Sequence, residues 1–401
     1  MRIIFLTMSN VQGISEHRNF LDLMRKFRDE GHQVTIVAPR ERRLGLPTAL
    51  VEVDGVRLLG VRTLNLQKSS IVEKGIGQTL VEPQFKRAIR KYLHGDSFDV
   101  ILYSTPPVML TGVVKYLKKN NPQAMSYLLL KDIFPQNAVD LGMFGKHSLF
   151  HWWFRRKEVS LYRQSDFIGC MSPANVTYLL KHNSYIDADR VEVAPNSIEL
   201  QNFGDGVSSD ARDAIRQKYH IPVDKPVFIY GGNLGKPQGI PFLIQCLDAN
   251  ANRTDCHFLV VGKGTEQAKL AQWYAAKKPS SVTVMDWLPK EDYDLLVCSC
   301  DVGLIFLDYR FTIPNFPSRL LPYLENKMPI IAATDPNCDM GEIAETNGFG
   351  FRCGSNSVDA FTACVDRMLA SDINAMGEKG YRYLCDHYLV EHTYGPIVKH
   401  C

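Results

Sequence analysis

No run in this 401-residue chain approaches the roughly 20 consecutive apolar residues that a membrane-crossing helix needs. The opening stretch, Met1-Arg2-Ile3-Ile4-Phe5-Leu6-Thr7-Met8, turns polar after a few residues, so a cytoplasmic chain without a signal peptide is expected. Low-complexity tracts, long charge runs and internal repeats of about 20–50 residues are also missing, which excludes repeat arrays. Ten cysteines are present but scattered. Only Cys298 and Cys300 lie close together, and Cys-Ser-Cys fits neither a zinc-ribbon nor a redox motif, so reduced, mostly buried thiols and no metal site are expected.

What is there is a balanced globular composition, 45% hydrophobic and 22% charged, too long for one ordinary core and too balanced for disorder. Two domains of roughly 200 residues fit best. The net charge of +3 hides an asymmetry: residues 1–200 hold 27 Lys/Arg against 19 Asp/Glu, and residues 201–401 hold 19 against 24. The basic half can face something anionic, or carry an ordinary solvated surface.

In the first half, strands are expected at 2–8, 34–38, 99–103, 126–130, 166–171 and 191–194, with helices between several of them. Phe20, Leu21, Leu23, Met24 and Phe27 follow helical spacing, Gly31 stops that helix, and Ser172-Pro173 opens another as cap and first turn. Buried-type strands alternating with helices imply a doubly wound parallel sheet. Residues 201–226 turn polar and turn-rich around Gly204-Asp205-Gly206, the best linker. A second series then runs from Val227 to about Leu369, and the closing segment is helical in part. The fold class is therefore α/β, two doubly wound, Rossmann-like domains facing across a cleft: residues 1–200 and 201–384, with a C-terminal helix at about 385–401 packing back on the first.

Three strand ends of the second half open onto turn-forming loops. Val227-Phe228-Ile229-Tyr230 leads to Gly231-Gly232-Asn233-Leu234-Gly235-Lys236, His257-Phe258-Leu259-Val260-Val261 to Gly262-Lys263-Gly264, and Asp301–Leu307 to Pro317-Ser318-Arg319. Glycine followed by a helix start lets main-chain N–H groups approach a phosphate, and Lys236 and Arg319 supply charge. In the first half the corresponding loops carry Gly13, Glu16, His17 and Arg18, then Ser104-Thr105-Pro106-Pro107, then Lys131-Asp132-Ile133-Phe134-Pro135. Asp132 directly follows Leu128-Leu129-Leu130. It is read as a strand-tip carboxylate that accepts a sugar hydroxyl or steadies developing positive charge, against a helix cap or a buried partner for Lys131. Glu16 and His17 either bind an acceptor hydroxyl or decorate a helix start, and Asn196 shapes a turn in preference to touching a ligand.

Taken in order, Tyr230-Gly231-Gly232-Asn233-Leu234-Gly235, Val260-Val261-Gly262-Lys263-Gly264-Thr265-Glu266, Asp286-Trp287-Leu288-Pro289-Lys290, Asp301-Val302-Gly303-Leu304 and Pro317-Ser318-Arg319-Leu320 resemble the donor half of GT-B glycosyltransferases of family 4. Gly31-His32-Gln33-Val34-Thr35, Lys131-Asp132-Ile133-Phe134-Pro135 and Ala194-Pro195-Asn196-Ser197 resemble the first half of the same family, in its branch that builds O-antigen and capsule sugars such as N-acetylfucosamine. The resemblance implies retaining transfer from a nucleotide sugar, UDP foremost, without cofactor or bound metal. By position it implies Gly232 and Asn233 beside the diphosphate, Leu288 beside the base, and Ser318 with Arg319 at the phosphate-binding helix start; Lys236, on charge and location, and Gly262 with Lys263, on the loop after their strand, are further donor-binding candidates. From their strand-end loops, Asp132 and Glu16 are the candidate catalytic acids, with Gly13 and His17 on the acceptor side. The chain also departs from the pattern. Asn233 stands where an arginine is common, Gln238 precedes Gly239 where a lysine is usual, and Pro314 and Pro322 occupy the positions of paired glutamates, the second of which normally holds the ribose. Glu325 lies one helical turn beyond.

Leu149-Phe150-His151-Trp152-Trp153-Phe154-Arg155-Arg156-Lys157 sets aromatics beside three cations. Trp152, Trp153, Arg155 and Arg156 are candidates for contact with the inner face of the cell membrane, and the other reading is a helix with aromatic core contacts and a charged outer face. The leading expectation is a hexosyltransferase acting on a lipid-linked or oligosaccharide acceptor, with no nucleic-acid partner, in capsule or O-antigen synthesis. Pro322 keeps open a catalytically weak sugar-nucleotide-binding partner protein, and the two-domain architecture alone also admits a sugar-nucleotide epimerase.

Overall fold

The computed structural model describes residues 1–66, 71–105, 108–201 and 207–401. Pro106, Pro107 and the middle of the expected linker, Gly204-Asp205-Gly206, lie outside the described residues. The chain divides into two compact units, Met1–Glu199 with Leu389–Cys401, and Leu200–Tyr388.

The first unit is built on strands β1 (Arg2–Leu6), β2 (Gln33–Glu41), β3 (Ala49–Val53), β4 (Val56–Thr63), β5 (Val100–Ser104), β6 (Met125–Leu130), β7 (Phe167–Cys170) and β8 (Val191–Val193), in the order β3-β4-β2-β1-β5-β6-β7-β8. Every neighbouring pair is parallel except β3 with β4. Ile3 to Leu6 and Tyr127 to Leu130 are fully buried because helices cover both faces of such a sheet, which is why these strands read as unbroken apolar runs. The β3–β4 hairpin is absent from the sequence-based expectation. Its turn is Asp54-Gly55, with φ of 51° and 76°, the tight two-residue connection that Asp-Gly favours.

Helix Asn19–Asp29 starts after Arg18, whose N–H is accepted by the Asp22 carboxylate at 3.0 Å. It lays Leu23, Met24 and Phe27 into the core. Helix Pro173–His182 carries Ser172 as its cap. The C-terminal helix Glu391–Val398 packs on helix Asn19–Asp29, where the Tyr394 ring lies tilted against Phe27 at 5.0 Å between centroids, and its Thr393 also meets the Ser197 hydroxyl, after β8, at 2.7 Å.

The second unit contains β9 (Val227–Asn233), β10 (His257–Lys263), β11 (Val282–Met285), β12 (Val302–Phe306), β13 (Ile330–Thr334) and β14 (Gly350–Gly354), all parallel, in the order β11-β10-β9-β12-β13-β14. The strand order reverses at β9, and in such sheets ligands bind beyond the carboxyl ends of the strands at that switch point. Phe228, Ile229 and Tyr230 anchor β9 with no exposed surface, each such apolar side chain contributing about 1.5–3 kcal/mol. Residues 208–226 belong to this unit: helix Ser209–Lys218, capped by Ser208, is tied down by Arg216, which bonds the Ser299 carbonyl and the Asp301 carboxylate.

Candidate functional site

At the switch point β9 ends in Gly231-Gly232-Asn233 and runs parallel to Gly262-Lys263 at the end of β10. Gly232 has φ of +120°, a conformation that side chains rarely adopt. Gly262 is required by contact: a Cβ there would collide with the Gly232 carbonyl oxygen. Two strand ends thus lie closer than side chains permit, leaving main chain at the switch point.

Arg319 lies over this main chain. Its guanidinium sits 4.3 Å from the centroid of the Tyr230 ring, and its Nη2 faces Gly232. Nη1 is shut off from solvent and has no hydrogen-bond partner, and no acidic residue pairs with Arg319 among the described residues. Three tyrosines wall the spot. Tyr230 donates to the Asn233 carbonyl at 2.9 Å, Tyr323 accepts from the Gly231 N–H at 3.0 Å and donates to the Ile229 carbonyl, and Tyr293 leaves no room for a Cβ at Gly231. Burial raises the pKa of all three, that of Tyr293 to about 12, against the opposing pull of Arg319. They stay neutral phenols at ordinary pH, so the arginine charge remains available to an anion. The tyrosines escaped the sequence reading because their positions, 230, 293 and 323, are scattered along the chain.

Lys236 and Lys263 are exposed on the two loops, Asn233 shares a hydrogen bond with Gln238 at 3.3 Å, Ser318 is exposed beside Arg319, and Leu288 is half-buried after β11. Pro322 lies within helix Leu320–Glu325. Glu325 Oε1 accepts the Gln201 N–H at 2.6 Å, so this acid ties down the chain entering the second unit.

In the first unit, Asp132 follows β6. Its Oδ2 accepts from Asn137 Nδ2 at 2.6 Å, while Oδ1 is buried without a partner. Burial lifts the carboxyl pKa to about 7, opposed by the Ile133 N–H and Asn137. Asp132 is neither a helix cap nor the partner of Lys131. Lys131 turns to the carbonyls of Ala194 and Pro195 at 2.9 and 2.8 Å, and burial lowers its pKa to about 7. The Thr105 hydroxyl accepts from the Lys131 N–H and donates to the Asp132 carbonyl, fixing this strand end. A carboxyl that titrates near neutrality with one unpartnered oxygen can take or give a proton, or bond a hydroxyl.

Gly13, Glu16 and His17 lie on the loop after β1, which β5 separates from β6, about 10 Å at the strand spacing. A Cβ on Gly13 would press on the Asp54 carboxylate, which accepts the Ile14 N–H at 2.9 Å. Glu16 is exposed and pairs with Arg18 at 2.6 Å. His17, Asp22 and Glu199 offer ligand-type atoms within 4.8 Å of one another. Arg25 already joins them, bonding His17 Nδ1 and Glu199 at 2.9 Å each and also Asp22. Arg25 also bonds the Ile14 and Glu16 carbonyls, so it holds the loop's shape. Sequence reading missed Arg25, whose only signal was a cation on the buried face of an amphipathic helix. Asn196 is buried at the turn after β8.

Helix Leu149–Gln164 carries the aromatic and basic segment. Trp152 and Arg156 are exposed, with the guanidinium 4.8 Å from the indole centroid. Trp153 is half-buried against Phe154, and Arg155 is held by the buried Glu158 and by Asn183.

The family described as glycosyl transferases group 1 matches residues 211–383, and glycosyltransferase family 4 matches residues 17–202. "Probable glycosyltransferase WbjE" of Pseudomonas aeruginosa is 22% identical over 315 residues, 77% of this chain and 75% of the relative. WcaI of Escherichia coli, named for colanic acid biosynthesis, is 24% identical over 188 residues, 46% of this chain and 45% of its own length. The crystal structure of Anabaena Alr3699/HepE in complex with UDP shares the fold, with a TM-score of 0.70 at 15% identity, covering 100% of this chain and 99% of that one. With both halves matched by glycosyltransferase families and two parallel-sheet units in the GT-B pattern, this chain belongs to the family 4 type of GT-B glycosyltransferases and is related to enzymes of surface-polysaccharide biosynthesis.

Proposed function

We propose that this glycosyltransferase moves a hexose from a UDP-sugar to a glycan acceptor carried on a lipid, in the assembly of capsule or O-antigen, retaining the anomeric configuration and using neither cofactor nor resident metal. The observation that carries the donor half is Arg319: a guanidinium with one buried, unpartnered N–H over a glycine-lined strand end, walled by neutral phenols. The crystal structure of the fold neighbour HepE contains UDP, which supports that base.

In this reading the β-phosphate lies against Gly232 and Gly262, where main chain permits close approach. Arg319 supplies the fixed charge, and Lys236 and Lys263 add mobile charge from the loops. As the sugar–phosphate bond breaks, negative charge grows on the departing diphosphate, and preorganised donors are strongest where charge develops. That cationic set takes the role a divalent metal plays elsewhere. Asp132 serves the acceptor side through its near-neutral carboxyl, with Glu16 and His17 contacting acceptor hydroxyls from the loop after β1. The test is turnover: purified chain, UDP-hexoses, a lipid-pyrophosphate glycan acceptor, and buffer with chelator or with magnesium. Product in both buffers, with the anomeric centre retained by NMR, is expected; strict magnesium dependence overturns the metal-free reading.

Pro322 favours a second reading, a sugar-nucleotide-binding partner without turnover, since Glu325 is engaged by Gln201. UDP binding without transfer from any donor distinguishes it.

A further inference from the structure

Helix Leu149–Gln164 forms one wall of a cavity of about 710 Å³ in the first unit, lined among others by Lys115, Lys146, Arg155, Arg156 and Arg163. No acid lines it among the described residues, and the acid on the helix, Glu158, is buried and paired with Arg155. Trp152, which lines the cavity, is 56% exposed, and the first turn of the same helix and the loop before it leave more large apolar side chains in water: Leu149 is 84% exposed, Phe150 69% and Met143 65%. Elsewhere among the described residues of this unit, exposed large apolar residues are single and less exposed. A basic hollow walled by a helix whose first turn also exposes Leu, Phe and Trp matches the chemistry of an anionic bilayer, in which headgroup phosphates meet cations and apolar tips enter the acyl boundary.

We propose that this face docks the enzyme on a bilayer containing anionic phospholipid, with a headgroup phosphate seated in the cavity and Leu149, Phe150 and Trp152 inserted beside it. Arg156 lies across the Trp152 ring and so spans both parts. The inference deepens the lipid-linked acceptor of the proposed reaction and rests on that reading for its purpose, while its test does not require turnover.

The test is co-sedimentation of the full chain with vesicles of phosphatidylcholine alone or of phosphatidylcholine mixed with phosphatidylglycerol, at low and high salt. Binding to the mixed vesicles, weakened by salt, and little binding to the neutral ones is expected. Lys146→Ala with Arg156→Ala should weaken partitioning roughly fivefold for each cation removed. Leu149→Ser with Phe150→Ser should lower the binding that survives high salt. Arg90→Ala, an exposed cation outside the cavity, should change nothing. Equal binding to both vesicle types, absence of binding, or variants that partition like the unaltered chain would overturn the proposal. UDP-induced thermal stabilisation, measured on the same samples, reports on the second unit. Stabilisation retained without vesicle binding removes the docking face alone; vesicle binding without stabilisation removes the donor reading alone.

Discussion

Replacing Arg319 by alanine separates a ligand-directed arginine from a structural one, because the two roles predict opposite balances of binding and stability. A hydrogen bond to a charged group contributes about 1.5–3 kcal/mol, which at 1.4 kcal/mol per decade is a loss of roughly 10–150-fold in UDP affinity. The unliganded protein should barely notice. It loses a cation–π contact over Tyr230, about 0.5–2 kcal/mol, and is relieved of a buried Nη1 donor left unsatisfied, a burden of about 1–3 kcal/mol. These oppose each other, and a domain of this size moves about 2–4 °C per kcal/mol, so the apo melting temperature should stay within a few degrees. Isothermal titration with UDP in chelator, beside melting curves of the apo proteins, reads both quantities. Arg319→Lys should fall between, since it restores charge without the fork geometry. UDP affinity unchanged by Arg319→Ala, or an apo melting temperature that collapses with it, would refute the assignment.

Other perturbations test the surrounding architecture. Gly262→Ala should abolish measurable UDP binding and cost about 1–3 kcal/mol of stability by pushing on the Gly232 carbonyl, whereas Gly145→Ala, with open space around it, should be silent in titration and denaturation alike. Arg25→Ala strands the buried Asp22 without its cation and should cost about 3–5 kcal/mol in urea unfolding, with the loss shrinking at acid pH where Asp22, its pKa already raised by burial, is protonated. Asp132 and Lys131 predict a pH signature. The Asp132 carboxyl, raised from 3.8 to about 7, costs stability as pH rises through that window, while Lys131, lowered from 10.5 to about 7, returns stability as pH rises from about 7. Unfolding free energy should therefore dip near neutrality, and Asp132→Asn should flatten the acid arm alone; an unchanged acid arm would remove Asp132 as a near-neutral acid.

The residues the sequence made visible and those it hid differ in kind. Parallel strands buried on both faces announce themselves as apolar runs, and Gly232 and Gly262 announce close main-chain approach because only glycine tolerates it, so the fold and the close approach of β9 to β10 were legible. The β3–β4 hairpin was readable too, through Asp54-Gly55 between apolar runs, but β4 and its neighbours lack clean alternation because most of β4 is buried. Side-chain partnerships are another matter. Arg25 joins residues from position 14 to 199, the wall of tyrosines spans 230 to 323, and Glu325 finds Gln201, so each depends on where distant segments meet, which local spacing does not encode. With Pro322 at the position of the ribose-holding glutamate and Glu325 engaged by Gln201, the proposed donor site meets an anion with main chain, the fixed charge of Arg319 and the mobile charges of Lys236 and Lys263. Such a site fixes the diphosphate more firmly than the ribose. Its affinity for UDP should therefore exceed that for uridine by far more than it exceeds that for 2′-deoxy-UDP, and titration with all three ligands measures that ordering.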